Sequence, residues 1–393
     1  MFSVTPFDQL TPPSHDEQSR QQFVSQLRKF VMADMSGEMR TAYVRDVEAP
    51  FEQRQGRKPR DGREVRRLML DHPYFKAWSA LRYGAQEMTW WSVMPQVERH
   101  LPELIGAARK EAEADGPGSL RLDPDLGIPR DVSALDIHLM PGCFHSEHAA
   151  GDVAQGAVYT LGTAVFAGAL KLRSERKGGV GASIAHWLRL TRPDFRPRKL
   201  LDLGCTTGSN LFPYLAVYPG LVGHGVDVGA PLLRYAHARA RSEGLDVHFS
   251  QQNAESMDFA DGTFDVVCSS FFLHEQPVKS TWKILREAWR VLKPGGVMVH
   301  MELPPASEAD AYYNFYLDWD AFYNNEPHYA EFRALDFPLE VARAGFEPGK
   351  YFQTRIPNWG TLREKEFEDC VLGRREAPAH GNGASWFIFG AWK

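Results

Sequence analysis

Lys199–Asn210 reads KLLDLGCTTGSN, an acid set in an apolar run that leads straight into a glycine turn. Asp202 sits among Leu200, Leu201 and Leu203, and Gly204-Cys205-Thr206-Thr207-Gly208 follows. A turn of this kind at a strand end lets backbone approach a nucleotide-like ligand closely. Asp227 closes the next apolar segment, 23 residues after Gly204. An acid at the tip of a second strand can accept both hydroxyls of a ribose, or it can cap the helix that starts near Pro231. Gln251-Gln252-Asn253-Ala254-Glu255 follows a third short apolar run, and a polar side chain there can read an adenine amino group. His274, in Phe271-Phe272-Leu273-His274-Glu275, is the candidate base. An imidazole titrating near pH ~6.5 accepts a proton at neutral pH, and Glu275 could orient it. A structural histidine bonding a loop carbonyl is the alternative.

These residues need a scaffold that alternates strand and helix. The pattern predicts strands at about 198–203, 221–227, 246–250, 264–269 and 296–302, with two more near 346–355 and 385–392. Asp261-Gly262 opens the fourth strand, and Lys293-Pro294-Gly295-Gly296 separates a helix from the fifth. Alternation of this kind implies parallel pairing through right-handed crossovers.

Taken together the motifs resemble the class I S-adenosylmethionine-dependent methyltransferases, in particular the ubiquinone and menaquinone C-methyltransferase branch. The resemblance covers residues 196–303 and, more thinly, 340–393. It departs at Thr206, which stands where that family usually has the middle glycine of Gly-x-Gly-x-Gly. A dinucleotide-binding turn needs Gly-x-Gly-x-x-Gly to admit a pyrophosphate, and Gly204 and Gly208 do not supply it. The implied fold is α/β, a Rossmann-like, mostly parallel sheet with an antiparallel last strand, joined to an all-helical N-terminal domain. The implied cofactor is S-adenosyl-L-methionine. Asp202, Gly204, Cys205 and Gly208 would border its amino-acid end, Asp227 its ribose, Asn253 and Ala254 its adenine, and Ser269 with Ser270 its methionine portion.

Residues 1–15 are rich in Pro and polar residues and are expected to be poorly ordered. Residues 16–150 read as a helical domain plus a Pro-containing connecting segment, with a break or kink near Pro95. Residues 151–393 read as the sheet domain, in which a helix over about 153–173 precedes the first strand. An insertion at 304–336 is dense in aromatics and acids and would lie above the carboxyl edge of the sheet as a lid. Tyr316, Trp319 and Tyr323 in it, with Tyr159 and His145, are candidate acceptor contacts; core packing is the alternative for the aromatics. His138, His145, Glu147 and His148 meet no zinc-site spacing, and no metal is assigned.

The 393 residues carry a formal charge of −5, which gives no general affinity for nucleic acid or anionic membranes. The basic run Arg54–Arg67 is interleaved with Asp61 and Glu64 and reads as a solvated, ion-paired helix face. Four cysteines without a C-x-x-C pair suit a reducing compartment, and MFSVTPFDQL lacks signal-peptide features, so a cytoplasmic location is expected. The expected activity is methyl transfer to a small molecule, most directly to oxygen with His274 as base. Transfer to nitrogen, sulfur or carbon without a base, and cofactor binding without catalysis, are the alternatives. The helical domain would cover the site or mediate a homodimer.

Overall fold

The computed structural model describes residues 5–169, 179–378 and 383–393. Eight strands form one sheet: β1 (Ser119–Arg121), β2 (Lys199–Leu203), β3 (Val222–Asp227), β4 (Val247–Gln251), β5 (Phe264–Ser270), β6 (Leu292–Glu302), β7 (Tyr351–Pro357) and β8 (Ser385–Trp392). Their order is β1-β4-β3-β2-β5-β6-β8-β7. All pairs are parallel except those of β8, which is antiparallel to both neighbours. This is the expected Rossmann-like class I architecture, extended by β1 at one edge. Strand order reverses between β2 and β5, so the crevice beyond their carboxyl ends is where such sheets bind ligands.

The strand sequences explain the burial. Side chains alternate faces with period two. Leu200 joins one apolar layer with Val266, Cys268, Val299 and Leu233. Leu201 and Leu203 join the opposite layer with Val267, Met298, Ile284 and Leu285. Both layers are solvent-free, which is why these strands read as continuous apolar runs.

The helical region packs directly on this scaffold. Helix Pro73–Glu113 is continuous, with Pro95 and Pro102 inside it rather than at a break. Its Trp90, Val93 and Val97 share one apolar core with Ala157 and Val158 of helix Ala154–Ala169 and with Leu232 and Tyr235 of helix Ala230–Ser242. Residues 170–173 of the expected helix lie outside the described residues. In the segment from Thr5 to Ser14, Thr5, Phe7 and Thr11 are buried and the residues between and after them are largely exposed. Phe7 is buried against Tyr235. Asp8 accepts a hydrogen bond from Tyr235 Oη at 2.8 Å and pairs with Arg239 at 3.0 Å. Ser14 then starts helix His15–Lys29 with a reciprocal capping box through Glu17. Of the expected disordered stretch, residues 1–4 lie outside the described residues.

The insertion folds as helices Ala311–Phe322 and Tyr329–Arg333. The first is built into the helical region. Tyr312, Phe315 and Trp319 share a core with Val31, Met39, Val65 and Trp78. Gly62 admits this contact, since a Cβ there would lie 2.7 Å from Phe315 N. The basic run Arg54–Arg67 behaves as read: Arg57 chelates Glu64 at 2.8 and 2.9 Å, and Lys58 meets Glu48 at 3.0 Å. No helix among the described residues is long and apolar enough to cross a membrane.

Candidate active site

The crevice at the β2/β5 switch point is built on the glycine turn. Gly204 and Gly208 take φ of 64° and 74°. Thr206, at 46°, also occupies the left-handed region and is held there by its N–H, which donates to Asp227 Oδ2 at 3.0 Å. Arg239, fully buried, donates to Thr207 O at 2.6 Å and Ser209 Oγ at 2.9 Å. The Asp8–Arg239 pair therefore ties the N-terminal segment to the turn.

Asp202 is 2% exposed. Its carboxylate receives a single hydrogen bond among the described residues, from Cys268 Sγ at 3.8 Å. Burial, aided by the nearby Asp227 charge, pushes its pKa up to about 8. A buried carboxylate this short of donors is a fit for a cationic ligand group. Asp227 accepts from Thr206 N and Gly229 N, one bond per oxygen, which leaves lone pairs for a diol. Burial raises its pKa to about 6 against the pull of those two amides.

The other expected contacts divide. Gly204 lies at the crevice under Phe272, whose ring would meet a Cβ there at 2.4 Å. The Cys205 N–H is spent on Val226 O at 3.1 Å, and its thiol is buried. Gly208 makes room for Phe212 and Phe249, a packing role. Asn253 Oδ1 accepts from Glu255 N at 2.9 Å, forming an Asx turn that lines a groove of about 360 Å³ with Gln251, Gln252 and Asp258. Ala254 is buried in the layer beneath.

Ser269 is fully buried on the sheet face opposite Asp202, with its hydroxyl 2.7 Å from His300 Nδ1. Asp202 is register-paired with Cys268, so Ser270, not Ser269, shares its face.

His274 sits just past β5 and is 4% exposed. Its Nδ1 lies 2.6 Å from Glu302 Oε2. Glu302 is itself fixed, its other oxygen accepting from Phe272 N at 3.0 Å and Leu273 N at 2.7 Å. Burial alone would discharge the ring, but the Glu302 carboxylate outweighs it and holds the pKa at about 9. The orienting acid is thus Glu302, at the end of β6, and not Glu275. Nothing local in the sequence marks it, because 28 residues separate the two. Tyr329, also unmarked, packs edge-on to the His274 ring at 5.3 Å.

Of the candidate acceptor contacts, Tyr159 is placed at the crevice. It is half-buried, within reach of Thr206 and Glu275, and its ring meets Phe144 at 5.9 Å. His145 lines a second groove of about 260 Å³ with Val228, Gln251 and Arg234, on the β3/β4 flank. Trp319 is buried, stacked on Trp78 at 3.5 Å and donating from Nε1 to Ser79 Oγ at 3.0 Å. Tyr323 packs on Trp319. Both belong to the helical core rather than to an open pocket. Tyr316 is half-buried between Trp78 and Tyr313.

Residues 200–296 match a family described as Methyltransferase domain. They form a class I S-adenosylmethionine-dependent methyltransferase domain. Its cofactor is S-adenosylmethionine. The chain is similar to the demethylmenaquinone methyltransferase of Thermus thermophilus, 36% identical over 109 residues, covering 28% of this chain and 49% of that protein. It is similar also to the ubiquinone/menaquinone biosynthesis C-methyltransferase UbiE of Vibrio parahaemolyticus, 36% identical over 129 residues, covering 30% and 49%. The chain thus spans about half the length of the curated relatives it matches. Among solved structures, phosphoethanolamine N-methyltransferase 2 of Haemonchus contortus aligns with a TM-score of 0.37 at 19% identity, covering 55% of this chain and 52% of that one. The family match, residues 200–296, takes in β2 to β5, the glycine turn and the start of β6.

Proposed function

We propose that the protein transfers the methyl group of S-adenosylmethionine to a small acceptor carrying an acidic hydroxyl, such as a phenol or enol, most directly at oxygen. The observation that carries this reading is the buried His274–Glu302 pair standing beside the Asp202/Asp227 crevice. When bound, the cofactor supplies a methyl group already activated on a sulfonium sulfur. Asp202 would hold the cofactor's ammonium and Asp227 its ribose hydroxyls. Asn253 and Ala254 would border the adenine. Glu302 keeps the proton of His274 on Nδ1, which leaves Nε2 to take the hydroxyl proton of the acceptor. At rest the ring is an imidazolium at neutral pH, so the base form grows as pH rises toward about 9. A cation bound nearby would lower that value. Holding the acceptor hydroxyl in line with the sulfonium methyl is an orientation effect that can contribute ~7–11 kcal/mol to the barrier reduction.

A second reading places the methyl on carbon. It is favoured by the two relatives named above, one of which is a C-methyltransferase by name. A deprotonated phenol is nucleophilic at oxygen and at ring carbon, so the same base serves both outcomes. The test is incubation with methyl-labelled cofactor and a panel of phenols, hydroquinones, enols, amines and thiols, with products identified by mass spectrometry. Turnover of a hydroxyl acceptor should fall by ~10²–10⁴ in His274→Ala. Undiminished turnover in that variant, or transfer to amines alone, would reject the base assignment.

A further inference from the structure

His138 has no role in the reading above, yet it is anchored from three directions. Its Nε2 lies 2.9 Å from Glu275 Oε1 and its Nδ1 lies 2.8 Å from Glu326 Oε1. Its carbonyl accepts from Gln86 Nε2 at 2.8 Å and Trp90 Nε1 at 2.7 Å, both on the long helix. The Asn324 amide packs against both the ring and Glu326. His138 and Leu139 take φ of 57° and 55°, a left-handed conformation that L side chains adopt only when their surroundings hold them there.

These contacts close a circuit. Glu275 is the residue after His274. Glu326 lies three residues before Tyr329, whose ring rests on His274 at 5.3 Å. His138 completes the loop between Glu275 and Glu326. Phe144 links it to Tyr159 on the cofactor side, with ring centroids 6.3 and 5.9 Å apart.

We propose that His138 is a positioning residue for methyl transfer: gripped between Glu275 and Glu326, it pins the insertion to the end of β5 and fixes the His274 ring toward the crevice. The inference rests on the methyl-transfer reading of that crevice. The two carboxylates outweigh burial and keep the His138 ring charged, at about 10. The bridge is therefore a permanent clamp at neutral pH. Glu275, Glu326 and Glu302 are the acids facing His274, and His138 is the counter-charge of the first two.

The test uses the full chain with S-adenosylhomocysteine as probe, comparing wild type with His138→Ala and Glu326→Gln. In both variants, hydrogen exchange over 271–276 and 324–333 should rise by about tenfold or more, while β2 and β3 stay unchanged. The titration of His274, followed by histidine NMR and assigned with His274→Gln, should move in opposite directions. It should rise by about half a pH unit in His138→Ala, where Glu275 and Glu326 lose their counter-charge, and fall by a similar amount in Glu326→Gln, where an anion is lost. A merely structural role would not give shifts of opposite sign. Equal exchange in all three proteins, uniform loosening of the sheet, or His274 shifts of one sign would overturn the proposal. Wild type that binds no S-adenosylhomocysteine sinks the methyltransferase reading separately, and the exchange and titration arms still decide the bridge.

Discussion

Asp202→Asn is the substitution whose consequences follow most directly from the structure. With a pKa of about 8 the free protein carries this carboxyl mostly neutral at neutral pH. A cationic ammonium needs the ionised form, so binding must expel a proton. At about pH 7 roughly one molecule in ten has the ionised group, and at about pH 6 roughly one in a hundred. Affinity for S-adenosylhomocysteine should therefore weaken by about tenfold per pH unit below 8. Asp227, at about 6, contributes only below this window, so the range from about 6.5 to 8 isolates Asp202. Isothermal titration calorimetry in two buffers of different ionisation enthalpy should report release of about one proton near pH 7. In Asp202→Asn the slope should vanish and affinity at about pH 8 should fall by roughly 10–100-fold, the worth of one hydrogen bond between charged groups. A wild-type affinity independent of pH across that window, or a variant that keeps the slope, would refute the reasoning.

Other outcomes follow from the same contacts. Because the folded state holds the Asp202 proton up to about 8 and the unfolded chain releases it near 4, the cofactor-free protein should lose stability as pH rises through that interval. Thermal melts should show a steeper fall for wild type than for Asp202→Asn. Asp8→Ala breaks a buried ion pair that supports the glycine turn, so it should cost ~3–5 kcal/mol of stability and also weaken S-adenosylhomocysteine binding. A loss of stability with intact affinity would detach the N-terminal segment from the site. Trp319→Ala removes a fully packed ring from the Trp78 stack and should cost ~3–5 kcal/mol by denaturant unfolding. A near-neutral result there would return Trp319 to the open-pocket role expected from the sequence.

The sheet was legible in the sequence because both of its faces are buried. Runs such as Leu200–Leu203, apolar but for Asp202, and Val266–Cys268 are buried on both faces and lead into the turns at the strand tips. β1 was not legible, since three residues with one aliphatic carry no period, and pairing with β4 alone makes them a strand. Residues 5–14 look disordered by composition, but Phe7 and Asp8 are held by Tyr235 and Arg239, more than two hundred residues away. At the candidate site, Asp202, Asp227 and His274 stand out in the sequence because each lies within or at the end of an apolar run. Strand parity separates Ser269 from Asp202, since Asp202 is register-paired with Cys268 and Ser269 points to the other face. Glu302 and Tyr329 escaped because only tertiary packing brings them to His274. In the insertion, composition shows the density of aromatics but not which rings turn inward, and Trp319 turned toward Trp78.

The central claim is that the β2/β5 crevice grips a sulfonium nucleoside between Asp202 and Asp227. A crystal structure of the protein soaked with S-adenosylhomocysteine tests it directly. The account predicts ligand density across Gly204, with the amino group against Asp202, the ribose hydroxyls on Asp227 and the sulfur open toward His274. Density elsewhere, or a crevice that stays empty at saturating ligand, would contradict it.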